Sequence, residues 1–193
     1  MPEAYVPDIA LAVGNLAILH NDTKRYEKAE NEYEESLSIY RELSGQSPDV
    51  YLPRVARIVG SLAILHAELG QYVKAEKEYE ASLCIYRDLS EERPDVHLCN
   101  VALTVGNLAC LHRDIGQYEK AEKEYEESLS AYRDLCKSSP DVFLPKVAWI
   151  VGNLAIVHRN IGLSEEAERE YEESLSIYRD LAEKSPDVYL SYL

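Results

Sequence analysis

The chain has 193 residues, a formal net charge of −15, and only eight Gly and eight Pro among an excess of Glu, Leu, Ala, Lys and Arg. Helix formers in that proportion read as all-α, and the acidic balance points away from nucleic acid, whose ligands carry a basic stripe. No basic segment leads into an apolar run after Met1, and the apolar runs look too short and interrupted to cross a bilayer. Neither signal peptide nor membrane is expected, and the cytoplasm is the expected location.

The first patterned stretch is Val13-Gly14-Asn15-Leu16-Ala17-Ile18-Leu19-His20, followed by Tyr26-Glu27-Lys28-Ala29-Glu30. Both return three times, with Gly14, Gly60, Gly106 and Gly152 each 46 residues after the one before. A fixed period without insertions marks a repeat architecture, in which each unit contacts its neighbours and no single central core exists. The repeats run about 2–47, 48–93, 94–139 and 140–185, and 186–193 starts a fifth; residues 1–193 are read as one solenoid. The four first-helix segments 8–22, 49–69, 95–115 and 141–161 together carry −2, so the remaining −13 belongs to the second helices and links.

The second repeat shows the local logic. Ser47-Pro48-Asp49 is a helix start, with Ser to cap, Pro where no N–H is needed and Asp at the positive helix end. Pro53, matched by Pro145, either begins the first helix or bends it. Val55, Ile58, Val59, Leu62, Leu65 and Leu69 then recur at three and four, the spacing of an amphipathic helix that Gly70-Gln71 ends. A second helix follows from about Tyr72 to Leu89, with Tyr79 and Tyr86 filling the space between hairpins. Cys84, Cys99, Cys110 and Cys136 form no CxxC pair and read as free thiols in small apolar slots.

The run Asn-Leu-Ala, then Tyr-x-Lys-Ala-Glu, then Tyr-Glu-Glu-Ser-Leu resembles the tetratricopeptide repeat, in the long form of kinesin light chains and many bacterial and archaeal arrays. The resemblance covers residues 2–184. It implies a right-handed α-solenoid whose concave face, built from first helices, holds protein or peptide ligands. Ser36, Ser82, Ser128 and Ser174 depart from the usual Ala, and His20, His66, His112 and His158 from the usual Tyr. The histidines read as packing residues, too far apart to share a metal ion. The invariant rows Glu30, Glu76, Glu122, Glu168 and Glu32, Glu78, Glu124, Glu170 read as a solvated outer face.

On the first helices, by contrast, equivalent positions differ sharply in chemistry. They trace a stripe of Leu11, Asn15 and Ile18; Arg57, Ser61 and Ile64; Leu103, Asn107, Cys110 and Arg113; Lys146, Trp149, Asn153, Ile156 and Arg159. Side-chain amides pair with a ligand backbone through donor and acceptor together, and the varied side chains choose the partner. The repeat glycines serve either that ligand's close approach or tight packing between helices. The Lys/Asn set by which one tetratricopeptide class clamps a C-terminal carboxylate is missing. No phosphate loop, HExxH or nucleophile–base pair appears, so neither enzyme, cofactor nor metal is expected. The expected role is a peptide-binding scaffold; the alternative is an assembly module that homo-oligomerises end to end through its terminal repeats.

Overall fold

The computed structural model describes residues 5–184, and these fold into eight α-helices joined by short turns. In chain order they are α1 (Val6–Asp22), α2 (Tyr26–Ser44), α3 (Pro48–Glu68), α4 (Tyr72–Glu92), α5 (Pro94–Asp114), α6 (Tyr118–Cys136), α7 (Pro140–Asn160) and α8 (Ser164–Lys184). They form four antiparallel hairpins, and no strand occurs among the described residues. The chain divides into two compact units between His97 and Leu98, inside α5. The start of the fifth repeat lies outside the described residues.

Each hairpin closes on small residues. Ala10 and Ala17 of α1 and Ala29 of α2 are fully buried, so the two backbones approach closely. Ser36 Oγ donates to the Ala10 carbonyl at 2.8 Å, and Ser128 Oγ to that of Ala102 at 2.7 Å. Ser82 and Ser174 repeat the bond to Ala56 and Ala148. The glycines lie opposite these serines. A Cβ on Gly106 would come within 3.1 Å of Ser128 Oγ and 3.0 Å of Ile150 Cδ1. Helix packing therefore accounts for Gly14, Gly106 and Gly152, where a Cβ would be crowded, and the serines that depart from the family's Ala fill the space the glycines leave. Between the helices of a hairpin the chain turns through one left-handed residue. Gly116 (φ 77°) takes it without strain, whereas Lys24 (φ 57°) takes it in the first repeat at a cost of about 1 kcal/mol.

Within each unit the two hairpins pack through aromatic and branched residues. In the first unit Tyr33, Leu37 and Tyr40 of α2 bury against Ile58, Leu62 and Leu65 of α3. In the second, Tyr125, Leu129 and Tyr132 of α6 bury against Ile150, Leu154 and Val157 of α7. Tyr40 stacks on Tyr51 at 6.2 Å between ring centroids, as Tyr132 lies on Phe143 at 6.2 Å.

The structure decides one open alternative and corrects several local expectations. α3 and α7 begin at Pro48 and Pro140 and run through Pro53 and Pro145, so the inner prolines do not start the helices. Ser47 and Ser139 sit at the N-cap but make no side-chain capping bond. Cys84 is exposed rather than slotted into the core, while Cys99, Cys110 and Cys136 are half-buried; all four are free. α3 and α7 also reach the length and apolar character of a spanning helix. Their role in hairpin packing explains that character: they are the core helices of their units, lined by Ile58, Leu62, Ile150 and Leu154.

Candidate functional site

The first-helix stripe is described within each unit. In the first, Leu11, Asn15 and Ile18 of α1 are exposed, as is Ile64 of α3, while Arg57 and Ser61 are half-buried. In the second, Leu103, Lys146 and Arg159 are exposed and Asn107, Cys110, Arg113, Trp149 and Ile156 are half-buried. Asn153 alone is buried.

Asn153 is spent inside the protein. Its Nδ2 donates to the Trp149 carbonyl at 2.8 Å, and its Oδ1 accepts from Arg113 Nη1. Arg113 also donates from Nε and Nη2 to Asp114 Oδ1, at 2.9 and 2.7 Å. Burial weakens the Arg113 charge, but the Asp114 carboxylate outweighs it and holds the guanidinium protonated. Cys110 accepts from the Tyr125 hydroxyl at 3.1 Å, and burial pushes both groups up. The second unit's polar stripe is thus largely self-satisfied. Asn107 is an exception, making no side-chain hydrogen bond to any described residue, and Asn15 in the first unit is likewise open.

Arg57 differs from Arg113. Its Nε and Nη2 are out of contact with solvent and have no hydrogen-bond partner among the described residues. Burying charged donors without an acceptor is costly, by several kcal/mol at the upper end. Tyr33, Tyr40 and Tyr86 lie close enough to feel the guanidinium, which partly offsets the rise that burial imposes on their hydroxyls. Beside them Ser61 Oγ donates to the Arg57 carbonyl at 3.1 Å, fixing the turn of α3 that carries both residues. The result is a cation in an aromatic setting with two donors that no carboxylate among the described residues meets.

A second constellation was not anticipated. Each repeat histidine is buried and engages a glutamate of its own hairpin through Nδ1: His20–Glu32 at 2.7 Å, His66–Glu78 at 2.6 Å, His112–Glu124 at 2.7 Å and His158–Glu170 at 2.8 Å. Nε2 of His66 reaches Glu30 of the preceding hairpin at 3.0 Å, and that of His158 reaches Glu122 at 3.2 Å. The glutamate rows are therefore not simply a solvated face; most of their members are half-buried carboxylates that hold imidazoles. The legible signal was that His and Glu rows are invariant together, at a separation of twelve residues within each repeat. His66, with Lys74 second, holds the Glu30 carboxyl below its usual range. Burial opposes the charge on His158, yet Glu170 and Glu122 outweigh it and raise its pKa. Burial in turn raises Glu170 against the pull of the imidazole. Among the described residues no three His, Cys, Asp or Glu side chains converge on a metal site.

A cavity of about 520 Å³ opens between α6 and α8, floored by Leu129, Val151 and Leu154 and crossed by the Arg133–Glu173 ion pair at 2.8 Å. No stripe residue lines it.

Two tetratricopeptide-repeat family models match the sequence, one over residues 8–88 and 54–134 and another over 147–187. The chain belongs to the tetratricopeptide-repeat family. Solved structures with the same fold include BtubC (BKLC) from P. vanneervenii, 26% identical, with a TM-score of 0.73 over 93% of this chain. The Rap conjugation gene regulator of the plasmid pLS20, in complex with the Phr* peptide, is 20% identical with a TM-score of 0.71 over 97%. Aspartyl phosphate phosphatase F from Bacillus subtilis is 16% identical with a TM-score of 0.73 over 96%. This tetratricopeptide-repeat chain spans 66%, 45% and 43% of the lengths of those three proteins. No curated protein sequence matches it.

Proposed function

We propose that this tetratricopeptide-repeat chain is a protein-interaction scaffold that holds an extended, acidic segment of a partner against the exposed faces of its first helices. The observation that carries the reading is Arg57, whose buried Nε and Nη2 have no acceptor among the described residues. A carboxylate from a ligand matches that guanidinium fork in geometry and charge. Exposed Ile18 and Ile64 offer apolar contact in the same unit, and the open amide of Asn15 pairs with a ligand backbone. In the second unit Asn107 repeats the amide, with Leu103, Trp149 and Ile156 offering apolar area and Lys146 and Arg159 charge. Asn153 is given a different role, holding Arg113 in place. Support also comes from the pLS20 regulator, whose similar fold is in complex with a peptide.

The test is selection from a library of extended peptides, read by fluorescence anisotropy against the wild-type chain and Arg57→Gln. The selected peptides should carry Asp or Glu. Arg57→Gln should weaken binding at least about tenfold, the effect of losing a charged hydrogen bond, while Arg133→Gln on exposed α6 leaves it unchanged. Selection without acidic preference, or equal binding by Arg57→Gln, would overturn the reading.

A further inference from the structure

Arg57 does not stand alone on α3. Arg54 comes one turn before it, and residues three apart on a helix share a face. Arg54 is exposed and makes no ion pair or hydrogen bond with a described residue. Arg57 is half-buried, with Nε and Nη2 shielded and without an acceptor, and Nη1 is the edge left to solvent. Two adjacent guanidiniums are therefore unmatched.

Two tyrosines place the pair at one spot. Tyr86 of α4 donates from its hydroxyl to the Pro53 carbonyl at 3.3 Å, in the turn that carries both arginines. Tyr40 of α2 comes to the same stretch of α3, stacking on Tyr51 at 6.2 Å. Burial raises both hydroxyls, and at each of them Arg54 and Arg57 are the main charges that oppose the rise. Asp8 of α1 acts on Tyr40 last among its neighbours, and no carboxylate acts on Tyr86. No other repeat has two cations at these positions. Asp8 and Leu11, Asn100 and Leu103, and Lys146 and Trp149 are the equivalents.

A single carboxylate brings one charge and two oxygens. That is enough for one guanidinium fork, and it leaves the second arginine unmatched. A phosphorylated side chain brings about −1.5 to −2 charges at pH 7 and three acceptor oxygens. Two oxygens match the Arg57 fork, and the third is left for Arg54 on the same face. Resting on the proposed role of Arg57 as the acidic contact, we infer that the group it takes from the partner segment is a phosphorylated side chain, shared with Arg54. The open amide of Asn15, with exposed Leu11 and Ile18 in the same unit, fits a phosphate carried on a peptide rather than a free ion. Capture then depends on modification of the partner. The unmodified hydroxyl is neutral and cannot balance two cations, so phosphorylation turns binding on.

The test uses degenerate peptide libraries with one fixed central residue: phosphoserine, phosphotyrosine, glutamate or serine. Peptides selected on the 193-residue chain are measured by fluorescence anisotropy at about pH 7.5, where the phosphate is mostly dianionic. A fixed phosphoresidue should bind at least about tenfold tighter than Glu in the same peptide, the effect of one added charged hydrogen bond. The two phosphorylated libraries show which side chain carries the group. Arg54→Gln, on an exposed residue, should remove that advantage and change binding of the Glu peptide by no more than about twofold, the size of a screened surface charge. Arg57→Gln should weaken both. Glu peptides that depend on Arg57 with no gain from a phosphoresidue, or a gain that survives Arg54→Gln, would overturn the inference and leave the acidic-segment reading standing. Equal binding of every selected peptide by wild type and Arg57→Gln would overturn both.

Discussion

At the scale of single residues, the fold depends on a few small side chains placed against each other. Gly106 and Gly60 hold equivalent positions but different surroundings. A Cβ at Gly106 meets both Ile150 Cδ1 and Ser128 Oγ, and the serine is fixed by its bond to Ala102. At Gly60 the nearest atom is Ser82 Oγ at 3.4 Å, an ordinary contact. Gly→Ala in a helix interior is otherwise worth about 1 kcal/mol in favour of folding. Gly60→Ala is therefore expected to raise thermal stability by up to about that amount. Gly106→Ala should lower it by about 1–2 kcal/mol through overpacking. Thermal denaturation of the two variants decides this, and equal shifts would mean that the glycine row is not set by contact distance. Periodicity does not separate ligand approach from helix packing as the use of the glycines, because it shows where a side chain is missing and not what faces it. Arg57 was legible as a stripe cation, but its orphaned donors were not. They depend on which carboxylates the fold leaves out of reach, and in the second unit Asp114 and Asn153 are within reach of Arg113.

At the scale of helices, apolar spacing and the Gly and Pro punctuation located all eight elements to within a few residues, and the tyrosine rows identified the hairpin contacts. The histidine–glutamate pairs escaped the same reading. From sequence alone the invariant glutamates read as a solvated outer face, whereas contact with a buried imidazole is itself a reason for a glutamate not to change. The features of the first-helix stripe that the fold leaves unpaired are Arg57 and the amides of Asn15 and Asn107. The pairs also make stability depend on pH. His158 has a folded pKa above its unbound value of 6.5. Its pairing with Glu122 and Glu170 therefore stabilises the fold fully below about pH 6.5 and is lost as pH rises through the folded pKa. Glu170, also raised, begins to lose its share above pH 4.5. Glu30, lowered, contributes above pH 4.5 and loses its contribution as pH falls through its folded value. Glu122→Gln should accordingly reduce the melting temperature most at about pH 6 and least at about pH 9, where the imidazole is neutral in both proteins. A difference independent of pH would show that the Glu122 contact is not an ionic one.

For the molecule as a whole, the repeat family was readable because four copies in one register leave little alternative. What the copies hold in common builds hairpins; what differs among them includes internal pairs such as Arg113–Asn153 as well as exposed side chains such as Leu11, Lys146 and Arg159. Net charge −15 adds a general repulsion that salt screens. Raising NaCl from about 10 mM to about 150 mM, which shortens the screening length to about 8 Å, should raise the melting temperature; a fall would place most of the stabilising electrostatics in exposed ion pairs. The central claim, that the first-helix face binds an acidic segment through Arg57, is tested most directly by the Arg57 Nε–H resonance in ¹⁵N-labelled protein, titrated with a selected acidic peptide. The account predicts a saturable downfield shift of that resonance, absent when the acidic residues of the peptide are replaced by Gln and Asn. An unmoved Arg57 signal at saturating peptide would contradict it.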